Sequence, residues 1–419
     1  MKENSGNFTE YAGYRSKRMK ALIAGMIVYI SIGLIYAWSI FVTPLEGEFG
    51  WDRSQTSTVF TISITGMAFG CVVGSRLISK YTSRLAIRIA AACMCVGLLL
   101  SSNISSLPGL YICYGIFCGF GVGIVYNVNI STIQRWFPEK LGFVSGVLLM
   151  CYGMGSMLLG TFSSWMIYTF GWRVTFRLIG IIFGGLIAVC AHWILMPSVH
   201  QYQYIVKDTT SKISNKGRQA VLGEKGIEVG ISGMLRRKSW WLYFSWCVLI
   251  TALGLGTISH AATFALEIED SVVMATFITG LISICNGVGR VAFGGLYDWI
   301  ARRKVMMTIS LIVIAAPLIM FAAMAGKNMT ILAAGCAVLG LGYGAVCTTN
   351  SFFIRKFYGD TNYPANFSVL NFSGILSALL GTSVAGAMQV ELGSYTYVML
   401  YFAGLAVLAF AAQLFIRKP

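Results

Sequence analysis

The sequence predicts an all-α polytopic membrane protein, with twelve transmembrane helices in two pseudo-symmetric bundles of six. Three observations lead there. Of 419 residues, 57% are hydrophobic and only 11% charged, with a mean hydropathy of +0.73, whereas soluble domains carry roughly 25% charge. Apolar runs of membrane length recur along the whole chain. A spanning helix takes about 20 apolar residues, so twelve occupy roughly 240 to 290 positions and leave room for short connections and one longer loop. Finally, the chain resembles itself at a spacing of about half its length. A large soluble helical enzyme is excluded, because almost no segment carries the polar face such helices need.

The spans fall near 20–43, 56–79, 85–104, 108–131, 142–165 and 172–195, then near 239–262, 272–297, 303–325, 329–352, 363–388 and 393–416. Charge checks both count and orientation. With the first end inside, the cytoplasmic segments and helix ends hold 26 of the 31 Lys and Arg residues. Glu46, Glu48, Asp52, Glu267, Glu269, Asp270 and Glu391 fall outside. This is the positive-inside pattern, and it puts both termini on the cytoplasmic side of a cell membrane. The chain divides into an N-terminal bundle (1–196), a cytoplasmic linker (197–238) and a C-terminal bundle (239–419). The linker is polar and ends on Arg236, Arg237 and Lys238, which suits a flexible tether near anionic lipid.

A net charge of +16 comes as short clusters between apolar runs, not as one basic face, which argues against nucleic acid. The eleven cysteines fall mostly inside apolar runs, where cysteine acts as a small hydrophobe. Cys93 and Cys95 lack a partner pair and zinc spacing. Neither a metal nor a cofactor is expected. Beyond the lipid bilayer, the expected partner is a small organic anion, and the chain is expected to work as a monomer.

The internal repeat points to transport. GFGVGIVYNVNISTIQRWF from Gly119 matches GLGYGAVCTTNSFFIRKFY from Gly340, aligning Gly119, Gly121, Gly123 and Asn129 with Gly340, Gly342, Gly344 and Asn350. ITGMAFGCVVGSRL lies against ICNGVGRVAFGGLY, with Gly74 opposite Gly294 and Gly70 opposite Arg290. Two similar bundles rocking about a central site is a transporter design. Glycines spaced by four let helices approach closely where lipid supplies little drive for association.

Arg290 is the sharpest single feature. It lies roughly 12 Å along the eighth span from Asp298. An arginine at such depth costs at least a few kcal/mol on insertion scales and normally faces a cavity or binds an ion. Thr279, Ser283, Asn286 and Arg290 share one helix face, and a guanidinium takes a carboxylate in two parallel bonds. Snorkelling, or a tie to Asp298, is the structural alternative. Tyr29, Gly33 and Tyr36 share a face of the first span, beside Trp38. Tyr126, Asn127 and Asn129 in the fourth, Thr348, Thr349 and Asn350 in the tenth, and Asn366, Asn371 and Ser373 in the eleventh complete an aromatic, hydrogen-bonding box suited to a small organic anion. Arg173 and Arg177 read as interface anchors, Arg177 also as an attractor of anions.

Gly294-Gly295-Leu296-Tyr297-Asp298-Trp299-Ile300-Ala301-Arg302-Arg303 resembles the loop signature of the major facilitator superfamily. The stretch from Gly74 keeps the glycine and basic residues, but Ser79 stands where the acid is expected. The resemblance thus gives Asp298, Arg302, Gly74 and Gly294 gating or structural roles. GLIYAWSIF from Gly33, NISTIQRWFPEKLGFVSG from Asn129 and the Gly289-Arg290 pair are similar to the oxalate/formate antiporter family and its monocarboxylate-porter relatives. There an eighth-span arginine, matching Arg290, binds the substrate carboxylate. The proton-coupled carriers have an aspartate four residues earlier, where this chain has Asn286. The oxalate exchanger adds an eleventh-span lysine, and residues 363–388 contain none.

The expected function is therefore alternating-access transport, by exchange or otherwise, of a small monocarboxylate such as formate, lactate or pyruvate, because one fixed cation suits a monoanion. Exchange of oxalate or another dicarboxylate is one alternative. Proton symport through His260, or through His192, is another. A non-transporting membrane sensor is a third. An enzyme is not expected, since no cluster of His, Asp or Glu lies at membrane depth.

Overall fold

The computed structural model describes residues 13–212 and 226–417. Lys2, Lys216, Arg218, Lys225 and Lys418, all part of the charge pattern, lie outside the described residues. Among those described, eleven helices are long and apolar enough to cross a membrane. One of them, Pro138–Cys190, runs for 53 residues, roughly 80 Å and far beyond one bilayer. It breaks at Gly171 (φ 79°, ψ 162°), a backbone state only glycine adopts easily. It therefore holds the fifth and sixth spans, and the chain is a twelve-span, all-α membrane protein.

The residues form two compact units, Met1–Glu139 with Cys151–Asn215, and Lys140–Met150 with Lys216–Pro419. In the first unit, the first span (Tyr14–Ile32) tightens into a 3₁₀ turn over Gly33–Ala37 and continues as Ser39–Phe49. The second span, Arg53–Lys80, starts from a capping box made by Asp52 and Gln55. Thr82 caps the third, Ser83–Ser101. The fourth, Leu107–Gln134, contains a π-helical stretch at Tyr111–Cys118. In the second unit, the seventh to tenth spans are Lys238–Ile268, Val272–Trp299, Arg302–Ala325 and Met329–Tyr358. The eleventh is interrupted: Tyr363–Leu370, Ser373–Ala378, a π-helical Leu379–Ser383 and Val384–Leu392 precede the twelfth, Thr396–Leu414.

The glycine ridges pack as their spacing implies. A methyl group on Gly119 or Gly123 would lie 2.3 Å from the Ser63 carbonyl or 2.0 Å from that of Met67. On Gly340 or Gly344 it would lie 2.8 Å from the Ile282 carbonyl or 2.1 Å from that of Asn286. The fourth span thus beds on the second, and the tenth on the eighth, backbone to backbone. These carbonyls also correct the repeat register. Ser63 answers to Ile282 and Met67 to Asn286, one residue away from the alignment of Gly70 with Arg290. By packing, the counterpart of Arg290 is Cys71, that of Asp298 is Ser79, and Gly74 and Gly294 are not equivalent.

The linker differs from a free tether. Val199–Lys212 is helical, its Ile205 is fully buried, and Asp208 accepts the Tyr14 hydroxyl at 2.6 Å. In the second unit, the Ile227 and Val229 amides donate to the Phe357 and Tyr358 carbonyls at 3.1 and 3.4 Å. Glu228 accepts from the Asp360 and Thr361 amides at 2.9 and 3.1 Å. Residues 213–225 lie outside the described residues.

The far end of the helix Ser39–Phe49 is held by charge. Glu48 accepts from Arg173 at 2.7 Å and from the Trp172 indole at 2.6 Å. Arg173 also donates to the Ser102 and Ile104 carbonyls, and Arg177 binds Ser102 and Asn103, so both arginines tie loops of the first unit together. The hydrogen bonds from Arg173 and then Trp172 hold the Glu48 carboxyl below its ordinary range, outweighing desolvation. A depressed folded-state value stabilises above the unfolded carboxylate value, about 4.3, and is lost as pH falls through the folded one. The drop in Tm of the purified protein between pH 7 and pH 3.5 should therefore shrink in Glu48→Gln. An equal drop in both forms would show that the clamp does not contribute.

Candidate functional site

In the first unit three of the expected tyrosines meet around a fourth that sequence reading missed. The Tyr152 ring lies 5.8 Å from Tyr29, 5.1 Å from Tyr36 and 5.2 Å from Tyr126. Tyr29 and Tyr126 meet edge to face at 5.6 Å. Tyr29 is fully buried, whereas Tyr36 is 42% exposed. The Tyr29 hydroxyl donates to the Tyr126 carbonyl at 2.8 Å, and Tyr152 Oη contacts Met67 Sδ at 3.5 Å. Close backbone approach builds the cluster. A methyl on Gly33 would sit 2.3 Å from the Tyr152 carbonyl, at the start of the 3₁₀ turn that carries Tyr36.

Asn127 ties neighbouring helices. Its amide donates to the Cys71 carbonyl at 3.1 Å and accepts from Ser131 at 3.0 Å. Asn129 donates to the Gly25 carbonyl at 3.0 Å, and Trp38 to that of Thr56 at 3.0 Å. All three are buried, and these bonds clasp neighbouring helices.

In the second unit Arg290 and Asn286 come together. Arg290 Nε donates to Asn286 Oδ1 at 2.8 Å, and its Nη1 donates to the Leu149 carbonyl. Asn286 is buried. These two acceptors are neutral oxygens, and they orient the guanidinium fork. Gly146 makes this possible: a methyl there would lie 2.3 Å from the Arg290 carbonyl, so Lys140–Met150 rests directly on the eighth span. Gly142 and Gly146, four residues apart, were the available sequence signal for this contact. Thr279 and Ser283 bond back to their own helix, at Ala275 and Thr279.

Asn350 accepts from the Tyr243 hydroxyl at 2.7 Å, repeating between tenth and seventh spans the clasp that Asn129 makes between fourth and first. Thr348 and Thr349 bond to the Ala345 carbonyl. Asn371 stands at the break in the eleventh span and donates to the Phe367 carbonyl at 3.1 Å. Asn366 donates to the Val229 carbonyl, and Ser373 meets Cys247 Sγ at 3.5 Å. Breaks and π-helical turns in spanning helices recur at functional sites.

His260 is bonded through both ring nitrogens. Nε2 lies 3.1 Å from the Thr382 carbonyl, in the π-helical stretch, and Nδ1 lies 3.1 Å from the Tyr395 hydroxyl. A carbonyl only accepts, so Nε2 carries a proton and Nδ1 faces a hydroxyl that can donate or accept.

Asp298 accepts from the Gly142 and Phe143 amides, each at 2.9 Å. These are orphan donors in the first turn of the helix starting at Leu141, and a carboxylate there also meets the positive end of the helix dipole. Gly294 lets the chains touch, since its added methyl would lie 2.4 Å from the Gly142 carbonyl. Gly74 lies similarly against Ile124, at 3.0 Å. Arg302 is buried, its guanidinium carbon 4.3 Å from the Phe357 ring centroid. Among the described residues, no three or more His, Cys, Asp or Glu side chains gather as a metal site.

A twelve-span helical membrane fold with an internal repeat and polar groups at membrane depth defines the class of membrane transporters. The chain matches the Major Facilitator Superfamily over residues 21–358 and 270–419, and it belongs to that superfamily. It is a secondary transporter, not an enzyme. It is 24% identical over 368 residues to the oxalate:formate antiporter of Oxalobacter formigenes, covering 87% of this chain and 84% of that protein. With monocarboxylate transporter 13 of Bos taurus it shares 23% identity over 370 residues, 87% of this chain and 80% of the other. Its fold is similar to that of the superfamily's proton:xylose symporter XylE, with a TM-score of 0.69 at 15% identity, covering 96% and 97% of the two chains.

Removing the Asp298 carboxylate should leave two helix-start amides unmet. Asp298→Ala is expected to destabilise by about 1–2 kcal/mol, as capping losses do, and Asp298→Asn, which keeps one acceptor, by less. Thermal unfolding of both variants checks this order; equal Tm values for all three forms would contradict it.

Proposed function

We propose that this transporter carries a small monocarboxylate of the formate, lactate or pyruvate type by alternating access, with Arg290 binding the carboxylate. The observation that carries the reading is Arg290 itself, a guanidinium at membrane depth oriented by two neutral oxygens. The relatives named as carrying oxalate, formate or monocarboxylates support the anionic class. Asn286 sets the fork, and Tyr29, Tyr36 and Tyr126, with Tyr152, supply aromatic wall and hydroxyls. Asn350 and Asn371 act at the helix clasp and helix break where they stand, and Asn127 through the helix it ties to Cys71. A single fixed cation favours a monoanion over oxalate, which would be left half neutralised. The halves 1–196 and 239–419 are the proposed moving bundles, 197–238 their linker, with both termini cytoplasmic and the monomer as the working unit.

Arg290→Ala should abolish carboxylate uptake into proteoliposomes. Arg290→Lys keeps the charge but not the fork. Its uptake should fall roughly 10- to 150-fold, the equivalent of losing one charge-assisted hydrogen bond of about 1.5–3 kcal/mol. Parent-like uptake by the alanine variant at normal abundance would make Arg290 purely structural.

The second reading, proton coupling, follows from His260. Asn286 argues against a carboxylate proton relay beside Arg290, since an amide does not titrate. Asn286→Asp should create one: uptake at fixed anion concentration should rise toward pH 5.5 in the variant and change less in the parent, because protonating the introduced carboxylate removes a like charge from the anion's path. Strict accumulation by the parent in proportion to an imposed proton gradient would shift the assignment to His260.

A further inference from the structure

Where the ninth span begins and the twelfth ends, Arg302, Arg303, Met306, Gln413 and Leu414 line a shallow open groove that encloses about 10 Å³. One wall is fixed by a chain of hydrogen bonds. The Trp246 indole donates to Ser310 Oγ at 2.9 Å, and Ser310 donates to Gln413 Oε1 at 2.8 Å. An indole N–H only donates, so Ser310 accepts from Trp246, and in this arrangement its own proton goes to the Gln413 carbonyl oxygen. Gln413 Nε2 then has two N–H groups and no acceptor among the described residues, on a side chain only 6% exposed. A buried donor in this condition calls for an acceptor from outside the protein, a water or a ligand.

The neighbouring polar groups are donors too. Arg302 is buried beside Gln413 and Arg303 is exposed at the rim, while Met306 and Leu414 make the rest of the wall apolar. Leu414 and the adjacent Phe415 are exposed at 41% and 68%. A matching ligand carries an anionic head rich in acceptors on an apolar body. We propose that this groove binds the phosphate of an anionic membrane phospholipid, with Gln413 Nε2 and Arg303 donating to its oxygens and the acyl chains running along Leu414 and Phe415. Free phosphate shares the head chemistry but leaves the apolar wall uncovered, and basic pockets between helices at a membrane boundary suit lipid heads.

The test uses the purified full-length transporter in detergent, following Tm with added phosphatidylglycerol, phosphatidylcholine or inorganic phosphate. Gln413→Glu keeps the acceptor for Ser310 but replaces the two donors. Arg303→Gln, at the exposed rim, serves if the first variant fails to fold. Phosphatidylglycerol should raise the parent's Tm well above the phosphatidylcholine value, inorganic phosphate should not, and each variant should lose at least half of the difference. The proposal is overturned if the two lipids act alike on the parent, if folded variants keep the full difference, or if inorganic phosphate reproduces it.

Discussion

A guanidinium placed roughly 12 Å along a membrane helix from its charged end sets the terms for everything around it. Arg290 needs hydrogen-bond acceptors that hold its fork in place. The Asn286 amide and the Leu149 carbonyl do this. The second acceptor is within reach only because Gly146 lets the backbone of Lys140–Met150 lie on that of the eighth span. Asp298 fixes the same pair of elements two turns away, through the Gly142 and Phe143 amides. Charge, cap and glycine spacing are thus one arrangement seen at three places.

The same economy governs the rest of each unit. Lipid offers little hydrophobic drive for helix association, so glycine ridges and buried amides do the joining. Asn129 to Gly25 in the first unit and Tyr243 to Asn350 in the second join the corresponding pairs of spans. The two units share these contacts. Cys71 stands by packing where Arg290 stands in the other half, which concentrates fixed charge in the second unit.

The twelve spans were legible because burial in lipid imposes a length and a composition that hydropathy reads directly. Gly171 had to be seen to separate the fifth and sixth spans, whose helix otherwise runs on. The repeat was visible, but its register slipped by one residue: glycine-rich helices align at several offsets, and only the carbonyls of Ser63, Met67, Ile282 and Asn286 decide between them. Arg290 and Asn286 stood out as polar groups on an apolar face. Tyr152 did not, because one tyrosine in an apolar run carries no sign of the three rings it will touch. Asn127 stood out as an amide in an apolar run, but its bond to the Cys71 carbonyl had no sequence signal. The linker's anchoring was equally hidden, as backbone bonds such as Val229 to Tyr358 have no hydropathy signature.

Substrate charge is the most direct test, because the account rests on one fixed cation. Purified protein in proteoliposomes would be given labelled formate, lactate, pyruvate and oxalate, each with and without unlabelled anion inside. The account predicts saturable uptake of at least one monocarboxylate at a higher kcat/KM than oxalate. Oxalate carried as well as or better than every monocarboxylate, or no carboxylate carried at all by active protein, would contradict it.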